Sequence, residues 1–189
     1  MRVTVLEATN ECQYEKLCAS SKAGIGGDIH GVQAIWDTNF STEDWGFLLV
    51  DASNAFNKIN KIIMLWTVHH LWPYRTIFVN CYRNWSFLVL RNGNGTASFL
   101  HSREGVTQGD PLDMVAYGIG VLPLTKILKA AYTDVTQTWY AENDGELGTF
   151  DNIGSYFNAL KHFGPGRGYY PKPPNSVLIV HPNNLTPGK

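Results

Sequence analysis

Three short segments carry side chains that could do chemistry. In Phe47-Leu48-Leu49-Val50-Asp51-Ala52-Ser53-Asn54-Ala55-Phe56, an apolar run delivers one carboxylate at its end. A buried strand can hold such a group rigidly, although an Asp before a helix is also a favoured cap. In Glu104-Gly105-Val106-Thr107-Gln108-Gly109-Asp110-Pro111-Leu112, two glycines permit close backbone approach and Gln108 offers an amide between them. In Trp139-Tyr140-Ala141-Glu142-Asn143-Asp144-Gly145, an apolar run meets an acidic turn, and Asn, Asp and Gly equally suit an ordinary turn. Asp51 and Glu142 lie 91 positions apart.

The surrounding pattern must position these groups. Ile29, Val32, Ile35 and Trp36 recur at helical spacing, predicting a helix over 27–37. Phe47 to Val50 reads as a buried strand. A helix from about Asn54 continues through Ile59, Ile62, Ile63, Trp66 and Val68 to His70, where Trp72-Pro73 stops it. A second helix over 73–84 follows. Phe87 to Leu90, the turn Asn92-Gly93-Asn94-Gly95 and Ala97 to Leu100 form a hairpin signal. Asp110-Pro111 opens a long apolar helix to Ala131. Thr138 to Ala141 is a strand, 142–148 is polar and turn-rich, 153–163 is a helix, and Val177 to Val180 is a last strand. The order predicts an α+β domain, an antiparallel sheet with helices packed on one face.

Composition narrows the classes. The chain has 189 residues, 44% of them hydrophobic, which suits one domain with a packed core and excludes disorder. Its formal net charge of −1 gives no overall basic footprint for nucleic acid. Three cysteines (Cys12, Cys18 and Cys81) without paired spacing argue against a disulfide framework or a zinc site and for an intracellular, reducing compartment. Glu7 and Glu11 replace any apolar leader, and no apolar run reaches membrane-spanning length. His69, His70, His101 and His162 lack ligand spacing, and Glu104 and Asp113 read as solvated.

Together and in this order, the three segments resemble the palm motifs of reverse transcriptases of retroelement type. Val50 to Phe56 is similar to the first palm motif, Gly105 to Leu112 to the Gln-Gly-Asp-Pro motif, and Tyr140 to Asn143 stands where the family has Tyr-x-Asp-Asp. Residues 164–180 resemble the loop and strand that follow, and 17–36 resemble the fingers. The resemblance implies partial fingers over 1–45, a palm over 46–189, and no thumb. It implies RNA-directed DNA polymerase activity: two-metal transfer of deoxynucleotides to a primer 3′-hydroxyl on an RNA template, with two Mg²⁺ or Mn²⁺ ions. Asp51, the Ala52 carbonyl and Glu142 would hold metal, with Asn143 beside them as the fourth motif position. Phe56 would pack against the sugar and reject a 2′-hydroxyl, and Gln108 and Gly109 would line the floor under the nucleotide. The implied partners are RNA template, DNA primer, deoxynucleotide and other parts of a retroelement polyprotein, without a membrane.

Two departures bear on activity. Glu142 and Asn143 replace an Asp-Asp pair, which lengthens one side chain and removes one charge. Asn175 stands where the family often has a lysine, and an amide cannot serve as the acid for a leaving pyrophosphate; Lys172 and Lys161 are the nearest alternatives in sequence. The departures imply an alternative: a folded, catalytically silent derivative that acts as a binding module. A generic RNA-binding module that stacks bases on sheet aromatics is opposed by Trp139 and Tyr140, which stand next to the acidic turn.

Overall fold

The computed structural model describes residues 24–71, 76–110 and 112–184. Cys12, Cys18, most of the 17–36 segment's first half, the Trp72-Pro73 stop and Pro111 lie outside the described residues.

Helix α1 spans Gly24–Asn39 and strand β1 spans Trp45–Val50. The expected single helix after Asp51 is two. Short α2 covers Ala55–Lys58 and α3 covers Lys61–Leu71. Ile59 adopts extended geometry, and the Asn60 side chain then caps α3 by accepting from the amides of Ile62 and Ile63, each at 3.0 Å. The apolar periodicity runs through this corner, but the Asn cap breaks it.

Helix α4 covers Thr76–Tyr82. Strands β2 (Ser86–Arg91) and β3 (Ala97–Ser102) form the expected hairpin, which stands apart as a two-stranded sheet. Helix α5 runs over Asp113–Ala131. By length and composition it could cross a membrane, contrary to the sequence reading, yet its middle, from Val115 to Leu128, is largely buried in the core. Strand β4 is Thr136–Tyr140, α6 is Phe150–Phe163 and β6 is Val177–Val180.

The largest departure from expectation is β5, Asn143–Thr149, predicted as turn. It is a central strand in the antiparallel order β4-β5-β1-β6. Its turn-forming residues serve packing. A Cβ at Gly145 would sit 2.7 Å from Thr138 Oγ1 and 2.9 Å from a Phe47 ring atom. β5 is therefore thin where the side chains of β1 and β4 cross over it.

The main core lies between this sheet and α3, α5 and α6, with Val50, Trp139, Tyr156, Leu122 and Leu128 buried in it. The α+β antiparallel architecture is as expected. On the opposite sheet face, Val32, Ile35 and Trp36 of α1 pack on Trp45, Phe47 and Leu147.

Candidate active-site cleft

Antiparallel pairing sets Val50 opposite Asp144, so the end of β1 lies beside the β4–β5 turn. Asp51 follows Val50, and Glu142 occupies that turn between paired Tyr140 and Asn143. Asp51, Ala52, Phe56, Gln108 and Glu142 line one cleft of about 200 Å³. Five of the predicted site residues, drawn from all three motifs, meet there. Two do not line it. Asn143 borders an apolar cavity of about 470 Å³ between α1 and the other sheet face. Gly109 is exposed at φ 88°, and its amide donates to Asp113 Oδ2 at 2.8 Å.

Each wall has a local cause. The middle motif is clamped onto α2: the Val106 amide donates to the Phe56 carbonyl at 2.7 Å, and the Gly105 amide donates to the Ile59 carbonyl at 3.0 Å. Gly105 has φ 77°, and a Cβ there would stand 2.4 Å from the Asn57 carbonyl carbon and oxygen. Only glycine permits that approach. The clamp brings Gln108 beside Phe56, whose ring is buried and stacks on Tyr117 at 4.5 Å between centroids. Phe56 is thus both a core residue and a lining residue of the cleft. At the second wall the β4–β5 turn contains Ala141 at φ 50°, and across the cleft Asn54 also has φ 50°. Positive φ in residues with a side chain stores strain of order 1–3 kcal/mol, and such strain concentrates at functional sites.

Two residues that the motifs do not contain complete the scaffold. The Asn175 amide donates to Asp51 Oδ2 at 2.8 Å, while the Lys172 amide donates to the Asp51 carbonyl at 2.7 Å. The loop before β6 therefore fixes Asp51 from the side where the resemblance implied a lysine. Tyr169, fully buried, donates its hydroxyl to the Glu142 carbonyl at 3.1 Å and packs edge-on against Trp139. Tyr169 has no sequence signal of its own, since its partner lies 27 positions away, whereas Asn175 stands at the position where the resemblance implied a lysine.

Asp144 cannot stand in for the aspartate missing at 143. It is fully buried on the core face, where Tyr156 donates to its Oδ2 at 3.1 Å. Glu146, also fully buried, lies beside it. Burial first, and then the Asp144 charge, push the Glu146 carboxyl well above the usual carboxylate range. Burial and Asp144 likewise raise Tyr156 and Tyr169, which keeps both phenols as donors.

The donor set fits a divalent cation in a limited way. Among the described residues no three His, Cys, Asp or Glu side chains gather into a metal cage. The cleft offers two carboxylates and nearby backbone carbonyls. That suffices for Mg²⁺ only when waters and substrate phosphates supply the remaining oxygens.

No protein-family model and no curated protein matches the sequence. Solved structures do match. Telomerase from Candida albicans, in complex with a fragment of telomeric RNA, aligns with TM-score 0.70 and 11% identity over 98% of this chain and 35% of that one. Telomerase from Candida tropicalis in its RNA complex gives 0.72 at 10% identity over 94% of this chain and 32% of that one. The apo Candida tropicalis enzyme truncated from its C-terminal domain gives 0.69 at 13% identity, covering 94% and 39%. The chain thus spans between 32% and 39% of the structures it matches. What the likeness shows is a reverse-transcriptase-like fold, of the kind that telomerase, a polymerase related to reverse transcriptases, contains.

Proposed function

We propose that this chain is the palm of an RNA-directed DNA polymerase of retroelement type, reduced in catalytic power. The observation that carries the reading is the convergence of Asp51, Phe56, Gln108 and Glu142, from three distant motifs, on one cleft. Bound Mg²⁺ would supply Lewis acidity toward a triphosphate and a primer hydroxyl. The chain's own residues do the rest. Asp51 is aimed by Asn175 and by the strand end behind it, and Glu142 is aimed by Tyr169 through the turn carbonyl. The two carboxylates and the Ala52 carbonyl would hold the cation. Phe56, backed by Tyr117, forms a rigid wall against which a deoxyribose packs and a 2′-hydroxyl collides. Gln108 supports the base or the template from the floor. The partners are an RNA template, a DNA primer and a deoxynucleotide.

A second reading, a binding module without turnover, is favoured by the position of Asn143. That amide faces the apolar cavity, and its neighbour Asp144 is committed to Tyr156, so one carboxylate is missing at the turn. Displacements of about 1 Å in such a site cost on the order of 10²-fold in rate. Primer extension on an RNA template separates the readings. The wild type should extend slowly and Glu142→Asp, which restores the shorter carboxylate in the cleft, faster. Extension by neither, with the variant folded and primer–template bound, overturns the polymerase proposal in favour of the binding module.

A further inference from the structure

The β2–β3 hairpin presents two different faces, and both are exposed. Register puts Phe87 opposite His101, Val89 opposite Phe99 and Arg91 opposite Ala97, so these six share one face. Ser86, Leu88, Leu90, Ser98, Leu100 and Ser102 share the other. The first face is aromatic and basic. Phe87 and Phe99 are 65% and 64% exposed, and Trp85, just before β2, is 54% exposed. The Arg103 guanidinium lies over the Trp85 ring at 4.4 Å from its centroid. The His101 ring meets Trp85 edge-on at 5.8 Å and Phe87 at 4.6 Å between centroids. Trp85, Phe87 and His101, together with Arg83 and Asn84, line an open cleft of about 520 Å³. From Arg83 to Arg103 the chain has three arginines and no acid, although its formal net charge is −1. The positive charge is concentrated where the aromatic rings are free.

We propose that this hairpin face binds single-stranded nucleic acid, stacking bases on Trp85, Phe87 and Phe99 and pairing phosphates with Arg83, Arg91 and Arg103. Large exposed aromatics are costly in water unless covered, and a base covers a ring whatever its sequence. An arginine already lying on Trp85 extends the stack and supplies charge at its edge. An apolar protein partner would use the leucine face equally well and has no need of the arginines. The inference does not rest on the catalytic reading, because it uses no residue of the Asp51–Glu142 cleft.

The test is fluorescence anisotropy of a labelled oligouridylate of about 12 nucleotides with the 189-residue chain in EDTA. EDTA removes any cation from the cleft, so binding there and failure of polymerisation are read separately. Trp85→Ala/Phe87→Ala should weaken binding tenfold or more, and Trp85→Phe should retain most of it. Replacing the three arginines by Gln should lower the log–log salt slope by about 2. Leu88→Ser/Leu90→Ser, on the opposite face, should bind as wild type does. Circular dichroism checks that each variant is folded. Unchanged affinity in Trp85→Ala/Phe87→Ala, or an equal loss in the leucine variant, overturns the proposal. So does a concentration-dependent dimer in sedimentation that the aromatic double variant abolishes while oligonucleotide binding is absent, since that assigns the face to a second copy.

Discussion

Replacing Gly105 and Gly109 by Ala, one at a time, tests how the middle motif is mounted. Both glycines have positive φ, 77° and 88°, so each alanine meets a left-handed conformation costing roughly 1–2 kcal/mol. Their surroundings differ. Around Gly109 nothing lies within 4 Å of an added Cβ, whereas at Gly105 the Asn57 backbone is at 2.4 Å. Ordinary contact begins at 3.4 Å, so that backbone or the loop must move by about 1 Å. The move strains two hydrogen bonds, from Gly105 to Ile59 and from Val106 to Phe56. Each is worth about 1 kcal/mol net. Gly105→Ala should therefore cost about 3–4 kcal/mol and Gly109→Ala about 1–2 kcal/mol. Urea unfolding followed by circular dichroism reads the difference. With m of about 1–3 kcal/mol/M, the two midpoints should lie on the order of 1 M apart. Equal midpoints would refute the view that Gly105 exists to let the motif dock on α2.

Three further outcomes follow from the buried polar groups and the contacts that hold Asp51 and the β4–β5 turn. Glu146 has a folded pKa above its unfolded one, so its contribution is fully present below the unfolded value near 4.5 and is lost as pH rises toward the folded value. Wild-type stability should fall with pH over that window by up to about 1.4 kcal/mol per pH unit relative to Glu146→Gln, checked by urea titrations across pH; parallel profiles would contradict it. Tyr169→Phe removes the donor to the Glu142 carbonyl and should cost about 1 kcal/mol in stability while weakening cation binding at the turn, read by the same titrations and by Mn²⁺ binding. Asn175→Ala frees Asp51 Oδ2 and should leave stability nearly unchanged while altering Mn²⁺ affinity, which a merely structural contact would not do.

Much of this molecule is legible in its sequence because local signals and tertiary demands agree. Val177–Val180 and the β2–β3 hairpin appear where alternation and turn residues put them. Asp51, Ala52, Phe56, Gln108 and Glu142, drawn from the three motifs, line one cleft. Legibility fails where a side chain serves two masters. Asn143-Asp144-Gly145-Glu146 has the composition of a turn, yet its glycine answers to Phe47 and Thr138 and its acids are buried against tyrosine. Asn60 ends one helix and caps the next within an unbroken apolar rhythm. Trp139 is 1% exposed and packs in the core, while the exposed rings belong to the hairpin. Net charge concealed the last feature, because a local excess of arginine cancels against acids elsewhere.

The central claim is that Asp51 and Glu142 act as one cation site. Mn²⁺ binding in the presence of a deoxynucleotide, followed by the loss of the free-ion electron paramagnetic resonance signal, tests it directly. The wild type should bind with a stoichiometry of at least one, and Asp51→Ala and Glu142→Ala should each abolish binding. Binding that survives both alanine substitutions would contradict the account.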